Sequence, residues 1–335
     1  MNADALELGD VELESGETLP AARLAYRTYG RLNDAKDNVV VHPTWYGGVG
    51  SDNEWMHGQG RALDTDRYFI VIPEMLGNGV SSSPSNHPTL TSWETFPRVS
   101  IRDNVRLQSK MLREVFGIEK VRLVVGFSMG AQQAYEWATS FPERVQRLLA
   151  ICGTAKTSAH NWVFLEGVKA ALTRGSNSSI PRADSIGRQA ALKAMARVYA
   201  GWALSQAFYR QELWRSLGYE SLEAYMVGFW EALYAKKDVD DLMTMLLTWQ
   251  SADVSSNPAY EGDVAKALGA IKAKSIVMPG STDLYFTAHD CAVEAAYIGG
   301  ARLRVIDSVF GHAAGVGLNL ADAAVVEAAI ADLLQ

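Results

Sequence analysis

The stretch that most constrains this chain is Gly126-Phe127-Ser128-Met129-Gly130, a G-x-S-x-G pattern. An apolar, β-branched run at residues 121–125 precedes it, and residues 131–138, rich in helix formers, follow it. Strand, tight turn and helix, in that order, are the context in which such a serine becomes a nucleophile. The serine must sit on a strained turn with its hydroxyl presented outward. Flanking glycines remove the Cβ atoms that would collide where strand and helix approach. The helix start then directs backbone N–H groups at the reacting centre.

The rest of the chain has a matching rhythm. Two alternating runs between residues 6 and 30 read as an opening antiparallel hairpin. Residues 38–42, 68–73, 121–125, 145–151, 275–280 and 301–306 are short apolar runs with the character of buried strands. Residues 101–116 suit a helix that turns Val105, Met111, Leu112 and Val115 to the sheet, with Leu107 between and Asp103 in the first turn. Residues 321–334 are an alanine-rich closing helix. Strands alternating with helices imply a mostly parallel central sheet covered on both faces.

Between residues 158 and 255 that rhythm stops. No strand run is evident, helix formers dominate, and aromatics gather, among them Trp162, Phe164, Trp202, Trp214, Phe229 and Trp230. They either form the core of a helical subdomain or line an apolar pocket over the serine. The expected organisation is a core of residues 1–157 and 256–335 with a helical lid inserted at 158–255. A chain of 335 residues is ample for it.

The net charge of −7 argues against nucleic acid or an anionic membrane as the main partner. No apolar run is long enough to span a bilayer, and the acidic residues 1–7 lack an apolar leader core, so a cytoplasmic protein is expected. Cys152 and Cys291 show no metal-ligand spacing and read as buried free thiols. No metal or redox cofactor is implied.

A serine hydroxyl is a poor nucleophile at neutral pH. It needs a base within hydrogen-bond reach, and the base needs an orienting carboxylate. On an elbow of this kind the chain order is Ser, then Asp or Glu, then His. His160, His289 and His312 follow Ser128. His312 is favoured because it lies in the small-residue loop 311–315 beyond the last strand, where an imidazole can reach the carboxyl edge of the sheet. Asp283 is favoured as the acid, since it follows the strand at 275–278 through a Pro-Gly turn. Asp253, Asp263 and Asp307 compete, and Asp283 could instead cap the next helix. An oxyanion hole would take its N–H groups from Met129 and from the loop at 42–48, at Thr44 or Trp45. His42 reads as structural.

Several blocks resemble the homoserine O-acetyltransferases, a group with the α/β-hydrolase fold, and the resemblance runs nearly end to end. They are residues 24–33, residues 64–69 with Leu76-Gly77, Phe96-Pro97 with Ile101-Arg102-Asp103, and Ser128-Met129-Gly130 followed by Gln133 and Glu136-Trp137-Ala138. The resemblance implies an α/β-hydrolase fold, Ser128, Asp283 and His312 as catalytic triad, and a homodimer with lid helices at the contact.

The departures are informative. Transferases of that family usually place two glycines before the nucleophile and two after the methionine, where this chain has Gly126-Phe127 and Gly130-Ala131. They usually carry an aspartate after the catalytic histidine, where Ala313 stands here, and a tyrosine-arginine pair in the lid, where this chain reads Ala200-Gly201-Trp202. Arg197 and Lys169 remain as candidates for a substrate carboxylate. A zwitterionic acceptor left without charged partners is poorly held. The apolar Phe127, Trp202 and Ala313 resemble the family's esterase branch, which cleaves small acetate esters with the same triad. The expected function is therefore a serine carboxylic-ester hydrolase taking a small-molecule, short-chain and foremost acetate, ester. Acyl transfer from acyl-CoA to L-homoserine is the alternative. The complete Ser-Asp-His set argues against a non-catalytic ligand-binding protein, and nothing in the chain calls for a lyase.

Overall fold

The centre of the molecule is built from buried β-branched runs. The computed structural model describes residues 3–174 and 185–335. Met1, Asn2 and residues 175–184 of the expected lid lie outside them. Strands β1 (Asp4–Glu12) and β2 (Thr18–Tyr29) form an antiparallel hairpin at one edge of an eight-stranded sheet of order β1-β2-β4-β3-β5-β6-β7-β8. β2 also runs antiparallel to β4 (Phe69–Pro73). From there β3 (Val39–Val41), β5 (Leu123–Phe127), β6 (Arg147–Ile151), β7 (Lys274–Met278) and β8 (Arg302–Leu303) pair in parallel. β3, β4 and β5 are buried along their whole length, as strands with helices on both faces must be.

Helix α1 (Ile101–Phe116) opens with a capping box in which Ser100 and Asp103 satisfy each other's backbone N–H groups. It stops at Gly117, whose φ of 63° is left-handed. Helix α2 (Met129–Ser140) leaves the elbow and packs on α1 through a buried polar chain. Trp137 Nε1 donates to Gln108 Oε1 (2.8 Å), and Gln108 Nε2 donates to Gln133 Oε1 (2.7 Å). The insertion carries α3 (Ala159–Thr173), α4 (Ser185–Ala203) and further helical segments through Val239–Gln250, with no strand among the described residues. These helices cap the carboxyl edge of the sheet. No helix among the described residues is long and apolar enough to cross a membrane.

Three details depart from expectation. The regular part of β8 is only Arg302–Leu303, both exposed, because it is an edge strand; pairing continues irregularly through Arg304 N to Val277 O and Ile306 N to Pro279 O. The elbow strand begins at Leu123 and includes Gly126 and Phe127, while Val121 makes only an isolated bridge to Val145. Val115 is 39% exposed, since it falls outside the stripe of α1 that faces the sheet.

Candidate active site

Adjacent parallel strands deliver the site. Ser128 follows β5, Cys152 follows β6, Asp283 lies beyond β7 and His312 beyond β8, all at carboxyl ends. Ser128 has φ 57° and ψ −124°, a conformation a residue with a Cβ rarely adopts. Its N–H donates to Ile151 O (3.0 Å), and its carbonyl accepts from Ala131 and Gln132. The glycines around it permit close backbone approach. A Cβ on Gly126 would lie 2.0 Å from Gly130 O, one on Gly130 2.8 Å from Pro43 O, and one on Gly153 2.8 Å from Ser128 O.

His312 Nε2 is 3.0 Å from Ser128 Oγ, and His312 Nδ1 is 2.7 Å from Asp283 Oδ2. A carboxylate only accepts, so Nδ1 carries the proton and Nε2 is left to accept from the serine. The other carboxylate oxygen, Oδ1, accepts from Tyr285 N (2.8 Å) and Phe286 N (3.2 Å), which fixes its plane. Phe127 and Tyr285 pack against the imidazole at 4.6 and 4.8 Å between ring centres. Ser128, Asp283 and His312 are 1%, 4% and 5% exposed, so these bonds form in a water-poor setting where they are stronger than in solvent.

The competing residues are engaged elsewhere. His160 packs on Trp202 in the lid (5.0 Å), and His289 lies in the helix Ala288–Tyr297. Asp253 pairs with Lys156 (2.8 Å), Asp263 caps the helix Val264–Gly269, and Asp307 accepts from Ser281 (3.2 Å). His42 bonds His57 (2.9 Å) in the interior; burial keeps both imidazoles neutral, His57 pushed down to about 4.

Met129 N–H is the first amide of α2 and has no helical partner. Thr44 N–H is directed at Pro73 O (3.4 Å), whereas Trp45 N–H has no partner among the described residues. Gln133 Nε2 donates to Thr44 O (2.8 Å). Across a trans peptide the carbonyl and the next N–H point in opposite directions, so this bond turns Trp45 N–H away from the α1–α2 interface.

Ser128 and His312 open into a cavity of about 620 Å³ walled by aromatic and aliphatic side chains, among them Trp45, Tyr46, Phe127, Tyr199, Phe229, Trp230, Leu233 and Tyr234. Ala313 also lines it, and Trp202 does not; Trp202 packs between His160 and Phe164 instead. Among the described residues, the charged ones along the wall are Asp52, Lys236 and Lys237. Arg197 is spent on Glu223 and Glu231, and Lys169 on Glu166, so neither reaches the cavity. Among the described residues, one cluster of possible metal ligands is close-set, Cys152, Asp283 and His312. Two of its members already bond each other.

Residues 37–313 match the model of the alpha/beta hydrolase fold. The chain belongs to the α/β-hydrolase fold family. This α/β-hydrolase is 39% identical to the ethyl acetate hydrolase of Pseudomonas veronii, over 99% of this chain and 95% of that one. It is 40% identical to a probable esterase of Corynebacterium glutamicum, over 92% and 89%. The solved acetyl esterase MekB superposes with a TM-score of 0.95 at 38% identity, covering 100% of this chain and 97% of its own. Homoserine O-acetyltransferases match at lower identity, that of Thermobifida fusca at 32% over 90% of this chain and 86% of its own. The protein is a serine-type carboxylic-ester hydrolase, nearer to acetyl esterases than to those transferases.

Two contributions to the hydrolase's site escape a reading of the sequence by motif. Gln133 holds the Thr44 carbonyl across the α2 interface, and nothing local marks that bond. Tyr199 comes from α4, and Phe229 and Tyr234 from the helical run at residues 222–234, so only the folded chain shows them on one wall. Cys152 had a usable signal, its position directly after a buried strand on the same sheet edge as Asp283.

Proposed function

We propose that this α/β-hydrolase cleaves short-chain carboxylic esters, acetates foremost, through an acyl-enzyme on Ser128. The observation that carries the reading is the continuous Ser128–His312–Asp283 hydrogen-bond chain opening into an apolar cavity. Ser128 Oγ attacks the ester carbonyl as His312 Nε2 takes its proton. Asp283 holds the Nδ1–H tautomer and stabilises the imidazolium. The N–H groups of Met129 and Trp45 receive the oxyanion. His312 then gives its proton to the departing alcohol, water attacks the acyl-enzyme with His312 again as base, and the acid is released. Phe127 and Ala313 bound the substrate with apolar surface.

Acyl transfer to homoserine is the less supported reading. Its zwitterionic acceptor needs paired charges near the reacting hydroxyl, and the two cations considered for its carboxylate are held by acids away from the cavity. The test supplies a simple acetate ester to one sample and acetyl-CoA with L-homoserine to another. Ester hydrolysis should dominate and fall by about 10³-fold or more in Ser128→Ala. Ser128-dependent acetylhomoserine formation outrunning hydrolysis would overturn the proposal.

A cytoplasmic homodimer belongs to the same proposal. Exposed apolar side chains on the lid, Trp162 and Val163 on α3 and Val227 further along, support a lid-to-lid contact. Sedimentation at the monomer mass would exclude the dimer.

A further inference from the structure

Among the described residues, Cys152 is a nucleophilic side chain set against the triad that the mechanism leaves idle. It is fully buried and follows β6, between the strands that deliver Ser128 and Asp283. The backbone register explains the placement. Ser128 N–H bonds Ile151 O, and Cys152 N–H bonds Met278 O (2.9 Å), so the ladder carries one residue past each strand end. There Cys152 has φ 46°, in the left-handed region, although it is not glycine. Gly153 next to it must be glycine, because a Cβ would lie 2.5 Å from Ala131 Cβ. A strained backbone at this point aims a side chain. Its sulfur lies within 4.8 Å of both an Asp283 carboxylate oxygen and a His312 ring nitrogen.

We infer that Cys152 is a positioning residue for the reaction, its S–H directed at the Asp283 carboxylate to temper how strongly that carboxylate raises the basicity of His312. The inference rests on the Ser128–His312–Asp283 reading. Asp283 already accepts from Tyr285 N, Phe286 N and His312 Nδ1. The titratable groups facing it are Cys152 from the end of β6, Cys291 from the helix Ala288–Tyr297, Tyr199 from α4, and Tyr285 and His312 from their loops. Burial, then the Asp283 charge, push the Cys152 thiol up, so it stays a neutral donor. Cys291 is turned elsewhere, its Sγ donating to Gly153 O (3.5 Å).

A thiol is a weak donor, so it withdraws little charge from the carboxylate. A serine hydroxyl at the same place would withdraw more, leaving His312 less basic; an alanine would withdraw none, leaving it more basic. The acidic limb of the kcat/KM profile reports the base of the free enzyme. Cys152→Ala should move that limb to higher pH and Cys152→Ser to lower pH, each by roughly 0.3 unit or more, with kcat changing more than KM. Cys291→Ala is the control and should leave the limb in place.

If Cys152→Ala does not fold, Cys152→Gly, unstrained at this φ, replaces it. Limbs that stay at the wild-type position, or shift the same way in both variants, overturn the inference. Activity retained by Ser128→Ala would instead overturn the triad reading beneath it.

Discussion

Replacing Gln133 with methionine tests whether the oxyanion hole is set from the α1–α2 interface. The substitution keeps the length of the side chain and removes its amide. In the folded protein Gln133 Nε2 donates to Thr44 O (2.8 Å) and Met129 O (3.3 Å), and Oε1 accepts from Gln108 (2.7 Å). The variant strands two buried groups, the Thr44 carbonyl and the Gln108 amide. Each costs about 1–3 kcal/mol unpaired, so stability should drop by about 2–6 kcal/mol. The Thr44–Trp45 peptide also loses the bond that orients it. Deleting one oxyanion donor outright lowers kcat by about 10²–10³-fold. Here Trp45 N–H is loosened, not deleted, so kcat should fall about tenfold to hundredfold. KM should stay within about twofold, because the contact is made to the transition state. The assay is steady-state hydrolysis of p-nitrophenyl acetate well below the melting temperature of the variant, with Tm measured separately. A lowered Tm with wild-type kcat would refute the reasoning and reduce Gln133 to a packing residue.

Two further substitutions probe the scaffold. Gly126→Ala should give no active, folded enzyme, because its Cβ would sit 2.0 Å from the Gly130 carbonyl oxygen and 2.2 Å from its carbon; soluble, active protein would show that the elbow can relax. Glu294 is buried beneath the loop after β6, accepting from Ala155 N and Lys156 N, and burial pushes its carboxyl up to about 8 from an ordinary 4.5. The folded protein therefore keeps a proton that the unfolded chain has lost, and stability declines as pH rises between those values, by up to about 1.4 kcal/mol per pH unit. Glu294→Gln has no such proton, so its Tm should be flatter from pH 5 to 8; parallel curves would refute the assignment.

Much of the fold was legible because its signals are local. β-branched runs of strand length and an aspartate in the first turn of α1, Asp103, each follow from the few residues around them. The elbow was legible for the same reason, since strand, glycines and helix are contiguous at residues 121–138. Edges were less clear. β8 dissolved into two regular residues because an edge strand lacks a second neighbour to enforce its register.

What the sequence by itself determined is the chemistry on offer: a serine on an elbow, an aspartate and a histidine beyond later strands, and a lid rich in aromatics. It could not determine which aromatics face the substrate. Trp202 and Phe229 look alike as apolar lid residues, yet Phe229 lines the cavity and Trp202 packs on His160 and Phe164. It could not show that Arg197 and Lys169 are occupied by acids, since Glu223 and Glu231 reach Arg197 from other lid segments. Nor could it show that Gln133 grips Thr44 or that Cys152 stands against Asp283. Those contacts join residues far apart in the chain. Their geometry is set by strand order and helix packing, which place side chains of unrelated segments within a few ångströms of one another.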